Sequence, residues 1–268
     1  MCIRDSLDSL PEPYRSGCWD EMKERLLECE MLIAPSRFYA GLMSERLDIA
    51  PERIEVLANG INLEGYGKRP KEGPDAVGYF SRMCLDKGLG DMVDAYIILQ
   101  QKGNFPACRL RIAGSCPPGD EPFVAEQKQK IETAGLGHLV DWNPNLSREE
   151  KVRFLGELTI FSAPMRYAEA FGLCLIEAMA SGVPVVNPGG STFEEIALLT
   201  GGGKTVPPRD PSALACAWEE LLADPDEAAA MGERGRRGVE VHYSVTAMKD
   251  GFVALAERAC ANLEPCSS

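Results

Sequence analysis

Two carboxylates and two cations stand at spacings that chemistry can use. Glu169 and Glu177 lie eight residues apart in the stretch AEAFGLCLIEAMASGVPVVNPGG, residues 168–190. Between them the apolar pattern predicts a helix that begins near Phe171 and runs to Ala180. The first turn of a helix leaves N–H groups unpaired and carries a partial positive charge, so it attracts a phosphate. Gly172 and Leu173 would bring those amides up to the ligand, the glycine with no Cβ in the way. Glu169, just ahead of the helix, would reach one side of the phosphate, and Glu177, about two turns in, the other. A carboxylate accepts paired hydrogen bonds from vicinal hydroxyls, which sugars and riboses both present. The chemistry implied is the holding of a nucleotide that carries a sugar. Taken alone, the two acids fit the solvated face of an amphipathic helix equally well.

The cations are Arg82 and Lys87, five residues apart in Ser81-Arg82-Met83-Cys84-Leu85-Asp86-Lys87-Gly88. They follow an apolar strand pattern and open the next helix. In open α/β sheets ligands sit at the carboxyl ends of the strands, where both side chains would fall. Arg forks between two oxygens and Lys supplies a movable point charge, so the pair suits a diphosphate. A solvated loop with two common charges has the same spacing.

The elements that must carry these residues alternate regularly. Strand patterns at 77–80, 110–113, 139–142, 159–162, 183–186 and 204–206 are separated by helical patterns at 89–101, 121–134, 147–155, 171–180, 192–199 and 211–223. Short apolar strands alternating with such helices predict an α/β fold, a Rossmann-like parallel sheet flanked by helices. Two further helices are expected at 226–238 and 244–262. Ahead of this unit come a helix at 14–30, a strand at 31–34, a helix capped by Ser36 and ending near Leu47, and a strand at 54–57 closed by Asn59-Gly60. Residues 64–74, rich in Gly, Lys and Pro, read as a linker between an N-terminal unit, 1–63, and the main unit, 75–243, with 244–268 as terminal helix and tail. Met1–Ser6 (MCIRDS) follows no structural logic and reads as foreign to the protein, with the chain itself a fragment.

Bulk properties exclude several classes. The net charge of −13, from 28 Lys and Arg against 41 Asp and Glu, disfavours nucleic acid or an anionic membrane as partner. Ten cysteines are scattered without a Cys-x-x-Cys pair, and His138 and His242 are the sole histidines, so no zinc site is expected. With no secretory leader, the thiols are expected reduced and the protein cytoplasmic. No apolar run approaches the ~20 residues of a membrane span. No Gly-x-Gly-x-x-Gly follows a strand, which counts against a dinucleotide oxidoreductase. Paired carboxylates also serve glycoside hydrolases, but those need no diphosphate clamp.

The string Glu-x-Phe-Gly-x-x-x-x-Glu-Ala-Met-Ala-x-Gly-Val-Pro-Val-Val, from Glu169 to Val186, resembles the signature of retaining group-1 glycosyltransferases of the GT-B fold. Ser81 to Gly88 resembles that family's Gly-Arg-Leu-x-x-x-Lys-Gly, with Arg82 and Lys87 matching, and Pro51 to Asn62 (PERIEVLANGIN) resembles its approach to the interdomain linker. The resemblance implies the donor-binding half of an enzyme moving a sugar from a nucleoside diphosphate to an acceptor with retained anomeric configuration. It gives Glu169 to the transferred sugar, Glu177 to the ribose hydroxyls, and Arg82, Lys87 and the amides near Gly172-Leu173 to the leaving diphosphate. Phe171 falls among the substrate-binding residues. No metal and no cofactor besides the sugar nucleotide is implied, and the acceptor, a sugar, lipid-linked sugar or small molecule, is unidentified. A non-catalytic nucleotide-sugar-binding module, or pseudoenzyme, is the alternative. The chain by itself is expected to be inactive for want of most of the first domain.

Overall fold

The computed structural model describes residues 10–70 and 73–262. Met1–Ser6 and part of the expected linker lie outside the described residues. The N-terminal unit carries α1 (Tyr14–Leu27), β1 (Leu32–Ala34), α2 (Arg37–Leu47) and β2 (Ile54–Val56). Ser36 caps α2 as expected, its hydroxyl accepting from the Tyr39 amide. β1 and β2 pair in parallel, Leu32 opposite Ile54, over a small core of Trp19, Leu32, Leu47 and Ile49.

The main unit alternates β3 (Ala76–Phe80), α3 (Leu89–Lys102), β4 (Arg109–Gly114), α4 (Glu121–Thr133), β5 (Val140–Pro144), α5 (Arg148–Gly156) and β6 (Ile160–Phe161). It continues through α6 (Leu173–Ala180), β7 (Val185–Pro188), α7 (Thr192–Thr200), β8 (Gly203–Val206), α8 (Pro211–Ala223) and α9 (Pro225–His242) to α10 (Val245–Asn262). All six strands of its sheet run parallel in the order β5-β4-β3-β6-β7-β8. The Rossmann-like α/β expectation holds. On these strands Val77, Tyr79, Leu110, Ile112, Ile160 and Val185 are fully buried, because helices cover both faces of a parallel sheet. The chain winds outward from β3 to β5, returns through α5, and winds the other way from β6. Strand order therefore reverses between β3 and β6, and the crevice at their carboxyl ends is where such a sheet binds ligands.

Several features position that crevice. Gly88, at φ 78, ends the β3 loop and opens α3; a Cβ there would collide with the Pro164 carbonyl of the facing loop. The end of β6 is locked to β7 by Asn187, whose Oδ1 accepts from the Ala163 amide at 2.7 Å while its Nδ2 donates to the Ala163 carbonyl at 2.8 Å. The expected linker is not free chain in its described part: Tyr66 is buried and Arg236 donates to its carbonyl at 3.0 Å. α10 returns to the N-terminal unit, where Arg258 pairs with Glu55 at 2.7 Å. Among the described residues no helix is long and apolar enough to cross a membrane.

Candidate active site

The sequence places Glu169 after β6 and Lys87 after β3, on opposite lips of the crevice. The fold brings them into contact: Lys87 Nζ donates to Glu169 Oε2 at 2.7 Å. Tyr167 completes the group, its hydroxyl donating to the same Oε2 at 3.0 Å and also meeting Lys87 Nζ. Lys87 further lies over the Tyr167 ring, 4.7 Å from its centroid. Burial works against the Lys87 charge, but the Glu169 carboxylate and the Tyr167 hydroxyl outweigh it and raise the ammonium above the usual lysine range. Burial raises the Tyr167 phenol as well.

Glu177 stands on α6 with its own partners. Tyr66 donates to Oε1 at 2.8 Å and Lys151 to the same oxygen at 2.6 Å. Lys151 falls in the first turn of α5, which begins with a capping box between Ser147 and Glu150, and its ammonium sits 5.7 Å from the Phe80 ring. The two glutamates thus share one arrangement. In each, the protein's bonds converge on a single oxygen, leaving Glu169 Oε1 and Glu177 Oε2 without a hydrogen bond among the described residues.

Lys87, Lys151, Glu169, Phe171, Gly172, Leu173 and Glu177 line one open cleft of about 420 Å³. The helix between the acids starts at Leu173, two residues later than its pattern indicates. Gly172 takes φ 89, a left-handed conformation that ends the incoming loop as the N-cap. Phe171 therefore precedes the helix; its ring is buried, edge-on to Tyr243 with centroids 5.9 Å apart, and forms the cleft floor. Burial, reinforced by the charges of Glu169 and Glu177, pushes the Cys174 thiol in the first turn up to about 12.

Arg82 is placed apart from its expected companion. Its guanidinium forks onto Asp120, Nε to Oδ2 at 2.6 Å and Nη2 to Oδ1 at 3.1 Å. It lines an adjoining recess of about 400 Å³ with Gly114, Ser115 and Asn145, joined to the first through Phe80 and Ser81. Trp142, in the middle of β5, packs half-buried against the core. Sequence reasoning missed Lys151, Tyr66 and Asp120. The Ser147-to-Glu150 capping box was a readable helix start, but no local pattern sets that turn against Glu177.

The loop carrying Glu169 is fixed from two sides. Arg166 forks onto Asp91 of α3, Nη2 to Oδ1 at 2.6 Å and Nε to Oδ2 at 2.9 Å, and its amide donates to the Asp86 backbone carbonyl at 2.9 Å. Thr192 Oγ1 bonds the Glu169 carbonyl at 2.8 Å.

Comparison with known proteins agrees with this architecture. The glycogen synthase of Mycobacterium tuberculosis is 27% identical over 215 residues, covering 78% of this chain and 50% of that protein. The MMP alpha-(1->4)-mannosyltransferase of Mycolicibacterium hassiacum is 25% identical over 254 residues, 92% of this chain and 58% of its own. The chain spans about half the length of the curated relatives it matches. Among solved structures, Anabaena Alr3699/HepE in complex with UDP and glucose superposes with a TM-score of 0.75 at 20% identity, over 85% of this chain and 63% of that one. That likeness is one of fold, the GT-B glycosyltransferase domain. The model of the family described as glycosyl transferases group 1 matches residues 67–238, which include both site glutamates, Arg82 and Lys87. The chain belongs to the group 1 glycosyl transferases.

Proposed function

We propose that the cleft binds a nucleoside-diphosphate sugar and that the whole protein transfers the sugar to an acceptor with retention of configuration. One observation carries this reading. Two carboxylates, each with one oxygen left unbonded, flank a lysine and a helix start at the point where the strand order reverses. Glu177 then holds the ribose through Oε2, with Lys151 and Tyr66 fixing its other oxygen. Lys87 and the amides at Gly172-Leu173 take the diphosphate, and Glu169 takes the sugar. The base occupies the recess at Gly114 and Asn145, with Arg82 at its rim. As the bond from sugar to diphosphate breaks, the lysine and the amides stabilise the charge that develops on the leaving group, in place before the reaction begins. No metal is assigned a part.

In this reading residues 75–243 form the donor unit and the N-terminal unit belongs to the acceptor side. UDP in the Anabaena structure supports a nucleoside diphosphate as the donor's handle. A thermal-shift screen of nucleosides, nucleoside diphosphates and their sugars tests the proposal, because a ligand of the native state raises its stability. At least one diphosphate should raise the melting temperature where its nucleoside does not. A uniform lack of response would contradict the reading.

A further inference from the structure

We infer that Ser36 and Thr192 are positioning residues for Glu169, and that through them the N-terminal unit sets the part of the site that meets the sugar. The inference rests on the donor-site reading above. Ser36 belongs to the N-terminal unit and Thr192 opens α7 of the main unit, yet their hydroxyls lie 3.0 Å apart, with the residues 2% and 1% exposed. Ser36 Oγ accepts from the Tyr39 amide at 3.1 Å and donates to the Ala170 carbonyl at 2.9 Å. Thr192 Oγ1 lies 2.8 Å from the Glu169 carbonyl and 2.9 Å from that of Ala170.

Proton counting shows why both are needed. A hydroxyl has one proton to donate. Two hydroxyls therefore satisfy two carbonyls, Thr192 that of Glu169 and Ser36 that of Ala170. Removing either leaves one carbonyl without a donor in a part-buried place, or draws the remaining hydroxyl from one carbonyl to the other. These carbonyls belong to Glu169 itself and to its neighbour, ahead of the left-handed Gly172. Their direction sets the peptide planes from which the carboxylate projects.

The same joint holds α2 by a second device. Glu195, from the first turn of α7, accepts from the Arg37 amide at 3.2 Å and the Phe38 amide at 3.1 Å. The start of α2 is thus capped by its own serine and by a carboxylate of the other unit. α2 and α7 form one block, and the Glu169 loop is bonded to that block. Glu177 is held by Tyr66 and Lys151, and Lys87 meets the loop at the Glu169 carboxylate and Tyr167 hydroxyl rather than at the carbonyls bonded to this block, so the affinity for the diphosphate and the increment from the sugar are measured separately.

The experiment uses the 268-residue chain. Dissociation constants are measured for UDP and UDP-glucose, and for GDP and GDP-mannose, with hydrogen exchange of the unliganded chain alongside. In Ser36→Ala and Thr192→Val the sugar conjugate should lose about tenfold in affinity relative to its parent diphosphate, as a part-buried acceptor deprived of its donor implies. The diphosphate itself should change by less than about threefold, and exchange at 166–173 should quicken. Thr192→Ser keeps the hydroxyl and should keep both readouts. Glu195→Gln should quicken exchange at 37–40 alone. Ser36→Ala that loosens α2 while leaving 166–173 and the sugar increment unchanged would make Ser36 a helix cap and overturn the inference. If no diphosphate binds the unaltered chain, the donor-site reading fails instead, while the exchange measurement still decides the coupling.

Discussion

Lys87 and Glu169 form an ion pair at 2.7 Å across the mouth of the crevice, one residue from each half of the sheet. Both side chains are largely buried, 24% and 18% exposed. The lysine that would meet a diphosphate is therefore held by the carboxylate that would meet the sugar. A diphosphate bound there would compete with Glu169 for that lysine and, on winning it, would release the carboxylate.

Glu169→Gln removes the competitor without removing hydrogen-bonding capacity. Nucleoside diphosphate should bind at least as tightly, by up to about tenfold, the scale of one charged hydrogen bond. Transfer by the intact enzyme should fall more than about tenfold in kcat, a barrier rise above roughly 1.4 kcal/mol. Calorimetry and steady-state kinetics check the two halves separately. Weaker diphosphate binding would show that Glu169 organises the lysine rather than restrains it.

Glu177→Ala should act on the other end of the ligand. Loss of a charged acceptor for ribose hydroxyls costs on the order of 1.5–3 kcal/mol, so nucleoside and diphosphate affinities should both drop tenfold or more. It also strands the Lys151 ammonium, which Glu177→Gln does not fully repair. Unchanged nucleoside affinity would return Glu177 to a structural partner of Tyr66 and Lys151.

The two sequence-matched cations should not be equal. Arg82 is committed to Asp120 and is 55% exposed, whereas Lys87 lines the cleft itself. Lys87→Met should therefore weaken diphosphate binding several-fold more than Arg82→Met, judged by titration at one fixed salt concentration. The reverse order would place the diphosphate in the recess beside Gly114.

The pH dependence follows from the raised Lys87 value. A group whose folded pKa lies above its unfolded value contributes stability that is fully present below the unfolded pKa, about 10.4 for lysine, and is lost as pH rises through the folded one. Diphosphate affinity should thus show no lysine titration between about pH 7.5 and 9.5. An inflection there that disappears in Lys87→Met would contradict the raised value.

Much of this was legible in the sequence because it is local. Strand and helix periods placed all six sheet strands, and the stretch from Glu169 to Glu177 reads directly as loop, helix start and acid. The misses came from long-range packing. Tyr66 sits in a Gly- and Pro-rich stretch that reads as linker, and Lys151 in a helix with an unremarkable charged first turn. Lys151 reaches Glu177 because α5 returns the chain from β5 to β6, and Tyr66 because its segment is held against the main unit, where Arg236 bonds its carbonyl. Spacing pairs Arg82 with Lys87, but Asp120, in the short helical turn that leads into α4 38 residues away, takes its guanidinium. The apolar period puts the helix start two residues early because periodicity cannot see the φ of Gly172.

The N-terminal unit should be the weakest part of the chain. β1 and β2 pair only with each other among the described residues, over a core of four side chains, apart from the large main core. Few buried apolar contacts mean low local stability. Hydrogen exchange should label 14–56 well before 76–206, and equal protection of both would contradict this.

The central claim is that Lys87 meets a diphosphate in this cleft. The direct measurement is a titration of the chain with uridine, UMP and UDP, repeated with the guanosine series, on wild type and Lys87→Met. The affinity should step up by about tenfold or more at the diphosphate, as a charge-assisted bond implies, and the step should vanish in the variant. Equal affinity for nucleoside and diphosphate in both series, or a step that survives Lys87→Met, would contradict the account.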